Sequence, residues 1–252
     1  MKVYVINLDR DRDRLEHMRE QLRGLSFIRV PAVDGTKDLE TSEGLTRFEL
    51  ACLSSHRKAW QLFLRTSDRY ACFLEDDLHL WPAFRALIND DAWVPADAHS
   101  VKIDTYLQKV RLGERRIIAD GRQVARLYSR HESSAAYLLS RAGAERYLAL
   151  TTRPTLPADY ALFPKRARRL GLRIYQLTPA VAIQDHLLPA TEGGRAFATA
   201  MTVAGPATAA ARPALTKLFR EAKRLAEQLA EAREAIYLKT FLKPETTRVP
   251  VG

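Results

Sequence analysis

The chain opens on a short apolar run, Val3 to Leu8, rich in β-branched residues, and such a run predicts a buried strand. Leu15, Met18 and Leu22 then recur at helical spacing, and Gly24 is the kind of residue that closes a helix. A second strand is expected from Phe27 to Val33, ended by the turn pair Asp34-Gly35. Thr46-Arg-Phe-Glu49 has the form of a capping box, in which the threonine and glutamate side chains satisfy each other's free backbone amides. It predicts a helix start, with Phe48, Cys52, Ser55, Ala59 and Phe63 along one face. Tyr70 to Leu74 predicts a third strand, and it runs directly into Glu75-Asp76-Asp77.

Further on, Pro82 opens a short helix to about Ile88, and strands are expected at Ser100 to Ile103, Arg116 to Ala119, Val124 to Tyr128 and Ala135 to Leu139. A helix follows near Ala142 to Leu150, and another near Asp159 to Leu170, stopped by Gly171. Ile174 to Leu177 and Val181 to Ile183 complete the strands. Strands alternating with helices predict an α/β layer sandwich with a mostly parallel sheet. Residues 190–213 turn to Ala, Thr, Gly and Pro and read as a linker. Leu215, Leu218, Phe219, Ala222, Leu225, Leu229 and Ile236 then mark a long amphipathic helix over 214–243. Its polar face mixes Lys217, Arg220, Lys223 and Arg224 with Glu221, Glu227 and Glu231. The organisation expected is a globular domain over 1–189, a linker over 190–213 and this α-helical extension.

Composition bounds the rest. The 252 residues suit one large domain or a domain with an appendage. Hydrophobic residues at 46% and charged residues at 28% leave enough apolar content for a core, so disorder is excluded as the main state. Two cysteines, Cys52 and Cys72, rule out a disulfide scaffold and suit a reducing compartment. Neither a signal-peptide pattern nor a run of about 18 apolar residues is found, so the expected location is cytoplasmic, with peripheral contact at the inner membrane face left open. With 40 Lys plus Arg against 30 Asp plus Glu, the net charge is +10. Nucleic acid, an anionic membrane and phosphorylated small molecules all suit that sign, and so does a plain solvated surface. Aromatics at 8%, with no RNA-binding aromatic motif, argue against nucleic acid.

Three consecutive carboxylates at the end of an apolar strand repel one another unless something positive sits among them. A hard divalent cation, Mg²⁺ or Mn²⁺, meets that need through one or two carboxylates plus substrate phosphates. In an extended strand end Glu75 and Asp77 share a face and Asp76 takes the other. The alternative is an acidic helix N-terminus ahead of the Pro82 helix. P-loop, dinucleotide-fold and nucleophile-elbow signatures are absent, as is any zinc-spaced Cys/His cluster.

Four blocks, in order across residues 3–186, resemble the family 25 glycosyltransferases, which include bacterial lipopolysaccharide galactosyltransferases. They are Val5-Ile-Asn7-Leu-Asp-Arg10 with Arg14; Glu49-Leu-Ala-Cys52-Leu-Ser-Ser55-His56 with Trp60; Phe73-Leu-Glu75-Asp76-Asp77; and Ala135-Ala-Tyr137-Leu-Leu-Ser140-Arg-Ala-Gly143-Ala144, followed by Pro157-Ala-Asp159-Tyr. Ala51 stands where the family usually has Gly, and the C-terminal helix lies outside the likeness.

The resemblance implies a GT-A-like, Rossmann-type sheet with a nucleotide-sugar site at its C-terminal edge. It also implies inverting transfer of a hexose, commonly galactose from UDP-galactose, to a glycan or lipid-linked glycan acceptor. Asp77 is then the expected Mn²⁺ or Mg²⁺ ligand, supported by Glu75, with Asp76 holding the loop or the donor sugar. Asp159 is the first candidate for general base, against a plain helix cap, and Asp104 the second, against an ordinary strand-end carboxylate. His186, in Gln184-Asp-His186, is a candidate late metal ligand, against a surface-loop histidine. His56 is either substrate-facing or a satisfied core histidine. Asn7, Arg10 and Arg14 are candidates for holding the nucleotide, and Lys102 for meeting a phosphate. The C-terminal helix is expected to pack on its own domain or on a second copy sooner than on lipid, because glutamates interrupt its basic side.

Overall fold

The computed structural model describes residues 1–37, 44–189, 194–195, 197 and 227–252. The strands are β1 (Lys2–Asn7), β2 (Phe27–Pro31), β3 (Tyr70–Glu75), β4 (Leu78–Leu80), β5 (Ser100–Lys102), β6 (Asp104–Thr105), β7 (Lys109–Ile117), β8 (Gln123–Leu127), β9 (Ala136–Ser140), β10 (Ile174–Thr178), β11 (Ala182–Gln184) and β12 (Glu245–Arg248). The helices are α1 (Arg12–Gln21), α2 (Arg47–Leu64), α3 (Ala83–Asn89), α4 (Arg141–Leu150) and α5 (Ala158–Leu162). A C-terminal helix runs from 227 to 237 and continues in π form over Leu238–Leu242. The expected linker falls almost wholly outside the described residues, as do positions 214–226 of the expected extension.

One large sheet has the order β12-β7-β8-β10-β5-β9-β3-β1-β2. The pairs β1–β2, β1–β3 and β5–β10 are parallel, and β9, β8, β7 and β12 join antiparallel. The Rossmann-type α/β core is therefore built on β2-β1-β3, with antiparallel strands extending it. Along β1, Tyr4 and Ile6 pack into the core beneath α2, while Val3 and Val5 pack on the opposite face with Met18 of α1 and Phe84 of α3. That alternation is the period-2 pleat of a strand buried on both faces. The capping box is present: Glu49 N donates to Thr46 Oγ1 at 3.2 Å, and Thr46 N donates to Glu49 Oε2 at 2.8 Å.

A second sheet, β4-β11-β6, is folded against the first. It was not foreseen as a separate layer. Its role is positional: Gln184 is in register with Leu78, and Asp185 N donates to Asp77 O at 2.8 Å. The segment after the acidic triplet is thereby tied to the end of β11.

Candidate active site

β3 and β5 both run antiparallel to β9, so they point the same way, and β1 is parallel to β3. Asn7, Glu75 and Lys102 therefore end at one edge of the sheet. Because β9 runs the other way, the loop before it, residues 131–135, arrives at that edge too. This is the C-terminal edge of the parallel strands, where open α/β sheets hold their ligands.

Arg14, in the first turn of α1, spans two of the carboxylates. It lies 2.8 Å from Asp76 Oδ1 and 2.8 Å from Asp77 Oδ2. Asn7 Nδ2 donates to Asp76 Oδ2 at 2.6 Å and to Asp11 O at 2.9 Å, while its Oδ1 accepts from Arg29 Nε at 2.9 Å. Two of the three acids thus share one arginine. Burial pushes Asp76 up to about 7, against the pull of Arg14 and Asn7. Burial and the charge of Glu75 raise Asp77 as well.

Glu75 behaves differently because it is supplied with donors. Trp60 Nε1 can only donate, and it donates to Tyr137 Oη at 2.8 Å. The tyrosine hydroxyl then donates its single hydrogen to His56 Nδ1 at 2.8 Å, which leaves His56 Nε2–H to donate to Glu75 Oε1 at 3.2 Å. Ser134 Oγ donates to the same oxygen at 2.7 Å. Burial alone would raise Glu75, but the donors outweigh it and hold the carboxyl below its ordinary range.

Two oxygens remain lightly engaged. Glu75 Oε2 and Asp77 Oδ1 each lie 3.4 Å from Gln184 Nε2. They converge on one amide, at the limit of hydrogen-bond length. The donor set therefore fits a hard divalent cation there: two carboxylate oxygens with an amide beside them. Cys52, His56 and Glu75 also bring ligand atoms within 4.8 Å of one another. That cluster presents hydrogens instead of lone pairs, because His56 Nε2 carries a proton toward Glu75 and burial pushes the Cys52 thiol well up.

The acidic triplet is not a helix cap, since β4 follows it and α3 begins only at Ala83. The structure places the other expected site residues as follows. Asn7 is buried with its amide fully engaged, so it braces Asp76 and is not free for a nucleotide. Arg10 pairs with Asp34 and lies 3.8 Å from Asp11. His56 is 1% exposed and turns its Nε2 to Glu75. Asp104 and Lys102 are fully buried and paired at 2.8 Å, and Ser133 Oγ donates to the second Asp104 oxygen at 2.7 Å. A base or a phosphate ligand needs access that neither has. His186 is exposed, with its ring 6.0 Å from Tyr106, and the residue bridging Glu75 and Asp77 is Gln184. Asp159 is half-buried in the first turn of α5, where Pro157 occupies the cap position. Burial raises its carboxyl, and the charges of Lys102 and Glu75 both reach it. Sequence reasoning missed Gln184, Ser134 and Tyr137 as parts of one site. Ser134 and Tyr137 carried a signal, since they stand just before and within the expected strand from Ala135 to Leu139; Gln184 carried none.

Residues 1–162 match the family model described as Glycosyltransferase family 25 (LPS biosynthesis protein). The chain belongs to glycosyltransferase family 25. Among the family's relatives, it is 27% identical over 209 residues to the lacto-N-neotetraose biosynthesis glycosyltransferase LgtB of Neisseria meningitidis, covering 73% of this chain and 75% of that protein. It is 28% identical over 160 residues to the lipooligosaccharide biosynthesis protein lex-1 of Haemophilus influenzae, covering 59% of this chain and 53% of lex-1. A solved glycosyltransferase involved in glycosylation of the major capsid of PBCV-1 overlays with a TM-score of 0.43 at 10% identity, covering 73% of this chain and 91% of that one. Similarity that weak adds nothing to the family assignment. The family's departure here, Ala51 for Gly, is accommodated within α2: Ala51 is buried, and its carbonyl accepts from Ser55 Oγ at 2.7 Å.

Proposed function

We propose that this family 25 glycosyltransferase moves a hexose, galactose in the first instance, from a UDP-sugar to a surface-glycan acceptor, with inversion and with a divalent cation. The observation that carries the reading is the convergence of Glu75 Oε2 and Asp77 Oδ1 beside Gln184 at the sheet edge. Glu75 and Asp77 would hold Mn²⁺ or Mg²⁺, and the cation, when bound, would neutralise the departing diphosphate. Arg14 orients Asp77 at that place and favours its charged form, against the burial and the Glu75 charge that raise the carboxyl. The Trp60–Tyr137–His56 series fixes one oxygen of Glu75 and so aims the other. Asp159 takes the acceptor proton. A carboxyl raised by burial accepts a proton more readily than an ordinary one, which suits a general base working near neutral pH. His186, exposed and within electrostatic reach of Asp77, would meet the diphosphate.

Two measurements test this. Mn²⁺ should raise Tm further when UDP is present, because ligands that bind only the native state stabilise it. Asp77→Ala should abolish that increment, and an unchanged increment would move the cation elsewhere. Asp159→Asn should lower kcat at least a hundredfold for UDP-sugar turnover while leaving the UDP-dependent Tm shift intact. Retained turnover would remove Asp159 from the mechanism.

A further inference from the structure

The C-terminal helix lies beyond the residues that match the family, and its side chains divide by sign. Lys165 Nζ donates to Glu231 at 2.8 Å, Arg166 pairs with Glu227 at 3.1 Å, and Arg168 and Arg169 reach Glu234 at 3.2 and 3.0 Å. These are the acidic residues of the described helix, and all three turn toward residues 165–169. Leu238 is buried on the domain. Leu229, Ile236 and Phe241 are 68%, 65% and 70% exposed. Arg233, Lys239 and Lys243 are exposed as well. In the bare sequence, the mixed signs argue against a lipid-facing helix. The fold sorts them: acids pair inward, while bases and large apolar side chains remain outside.

We propose that this outer face docks on an anionic bilayer surface, with the bases at the lipid phosphates and Leu229, Ile236 and Phe241 entering the headgroup layer. A basic and apolar helix face without acids is the pattern of interfacial helices. A second copy fits less well. A two-fold interface sets the same patch against itself, so Arg233, Lys239 and Lys243 would meet like charges with no acid among the described residues of the face to offset them. The net charge of +10 points the same way, toward an anionic surface.

The test is co-sedimentation of the full chain with phosphatidylcholine vesicles, with and without phosphatidylglycerol. Binding is expected only with the anionic lipid, and added salt should weaken it. Ile236→Ser with Phe241→Ser, and Arg233→Glu with Lys239→Glu, should each reduce the partition at least tenfold at unchanged Tm. Arg19→Glu, on exposed α1 surface, should leave it near the wild-type value. Absence of binding to anionic vesicles overturns the proposal, as does wild-type binding by both double variants. So does a dimer in sedimentation velocity that Phe241→Ser disperses while lipid binding persists, which would give the face to a second copy.

Discussion

Tyr137 has one hydroxyl and two buried neighbours that depend on it. Its replacement by Phe leaves Trp60 Nε1 and His56 Nδ1 without partners in a dry site. An orphaned buried group costs roughly 1–3 kcal/mol, so Tyr137→Phe, with two of them, should lose about 2–6 kcal/mol of stability in denaturant titration. The freed His56 ring no longer presents a fixed donor to Glu75, and the joint Mn²⁺ and UDP increment in Tm should shrink with it. A variant as stable as wild type would dissolve the series. His131 is the second residue whose protonation state is written in its contacts. Its Nε2 accepts from Tyr106 N at 3.2 Å, so Nδ1 carries the hydrogen and donates to Gln176 Oε1 at 2.8 Å. Burial and the nearby Lys102 charge hold it well below the ordinary 6.5. Below that pH the unfolded chain binds a proton that the folded chain refuses, so stability falls as pH drops, by up to about 1.4 kcal/mol per pH unit. His131→Asn keeps an amide donor and removes the titration. Its Tm should be lower at pH 8 yet decline less than wild type between pH 7 and pH 5, and parallel declines would reject the assignment.

Helix α4 shows why a family block contains a glycine. Ser140 Oγ caps the helix by accepting from Gly143 N at 3.0 Å, and this first turn lies directly on the chain entering β5. A Cβ on Gly143 would sit 2.0 Å from His99 O and 2.7 Å from His99 C. That backbone cannot yield, because Ser140 N donates to His99 O at 3.1 Å and His99 N donates to Arg173 O at 2.8 Å. Gly143→Ala should therefore cost about 3 kcal/mol or more. At Gly121, φ is +80° and nothing lies within 4 Å, so the same change should cost only about 1–2 kcal/mol. Equal midpoints for the two variants in urea would refute the distinction. The elements readable from sequence were those whose cause is local: β1, β3, the α2 capping box and the Ser140 turn. The helix expected to reach Leu170 stops at Leu162, because Pro164 lacks the amide hydrogen and forces Phe163 out of the helical region. Only the end of β7 was foreseen, since Lys109, Arg111 and Arg115 interrupt its apolar positions. β12, Glu-Thr-Thr-Arg, has no apolar residue and owes its existence to its neighbour. At the site, the acidic tip was legible as a run of like charges. Gln184 was not, because a lone glutamine after a short strand announces nothing until the second sheet sets it against Leu78. Lys102 and Asp104 carried a signal that went unused: opposite charges two residues apart at a strand end can satisfy each other in the interior.

At the scale of the whole molecule, the last residues complete the sheet that the first residues begin. β12 pairs with β7 from Glu245 opposite Leu112 to Arg248 opposite Lys109. Beyond it, Val249 is fully buried and its carbonyl accepts from Thr105 Oγ1 at 2.7 Å, Ala180 N donates to Pro250 O at 2.8 Å, and Gly252 N donates to Ala180 O at 3.0 Å. Thr105 and Ala180 flank the strands of the second sheet, which carries Gln184 to the acidic tip. Residues 245–252 therefore brace the layer that positions the site, although the family match ends at residue 162. Their removal exposes the edge of β7, empties the Val249 position and strips two partners from the second sheet. Burying one valine contributes about 1.5–3 kcal/mol, and each net hydrogen bond about 1 kcal/mol. Deletion should thus remove roughly 4–6 kcal/mol, or about 10–20 °C in Tm for a chain of this size. The uncovered strand edge should also make the truncated protein prone to aggregate. Val249→Ala isolates the packing part, and should lower Tm by only a few degrees with no aggregation. If the deletion melts where the wild type does, the C-terminal strand is an ornament on the fold, and the second sheet is held by its own three strands.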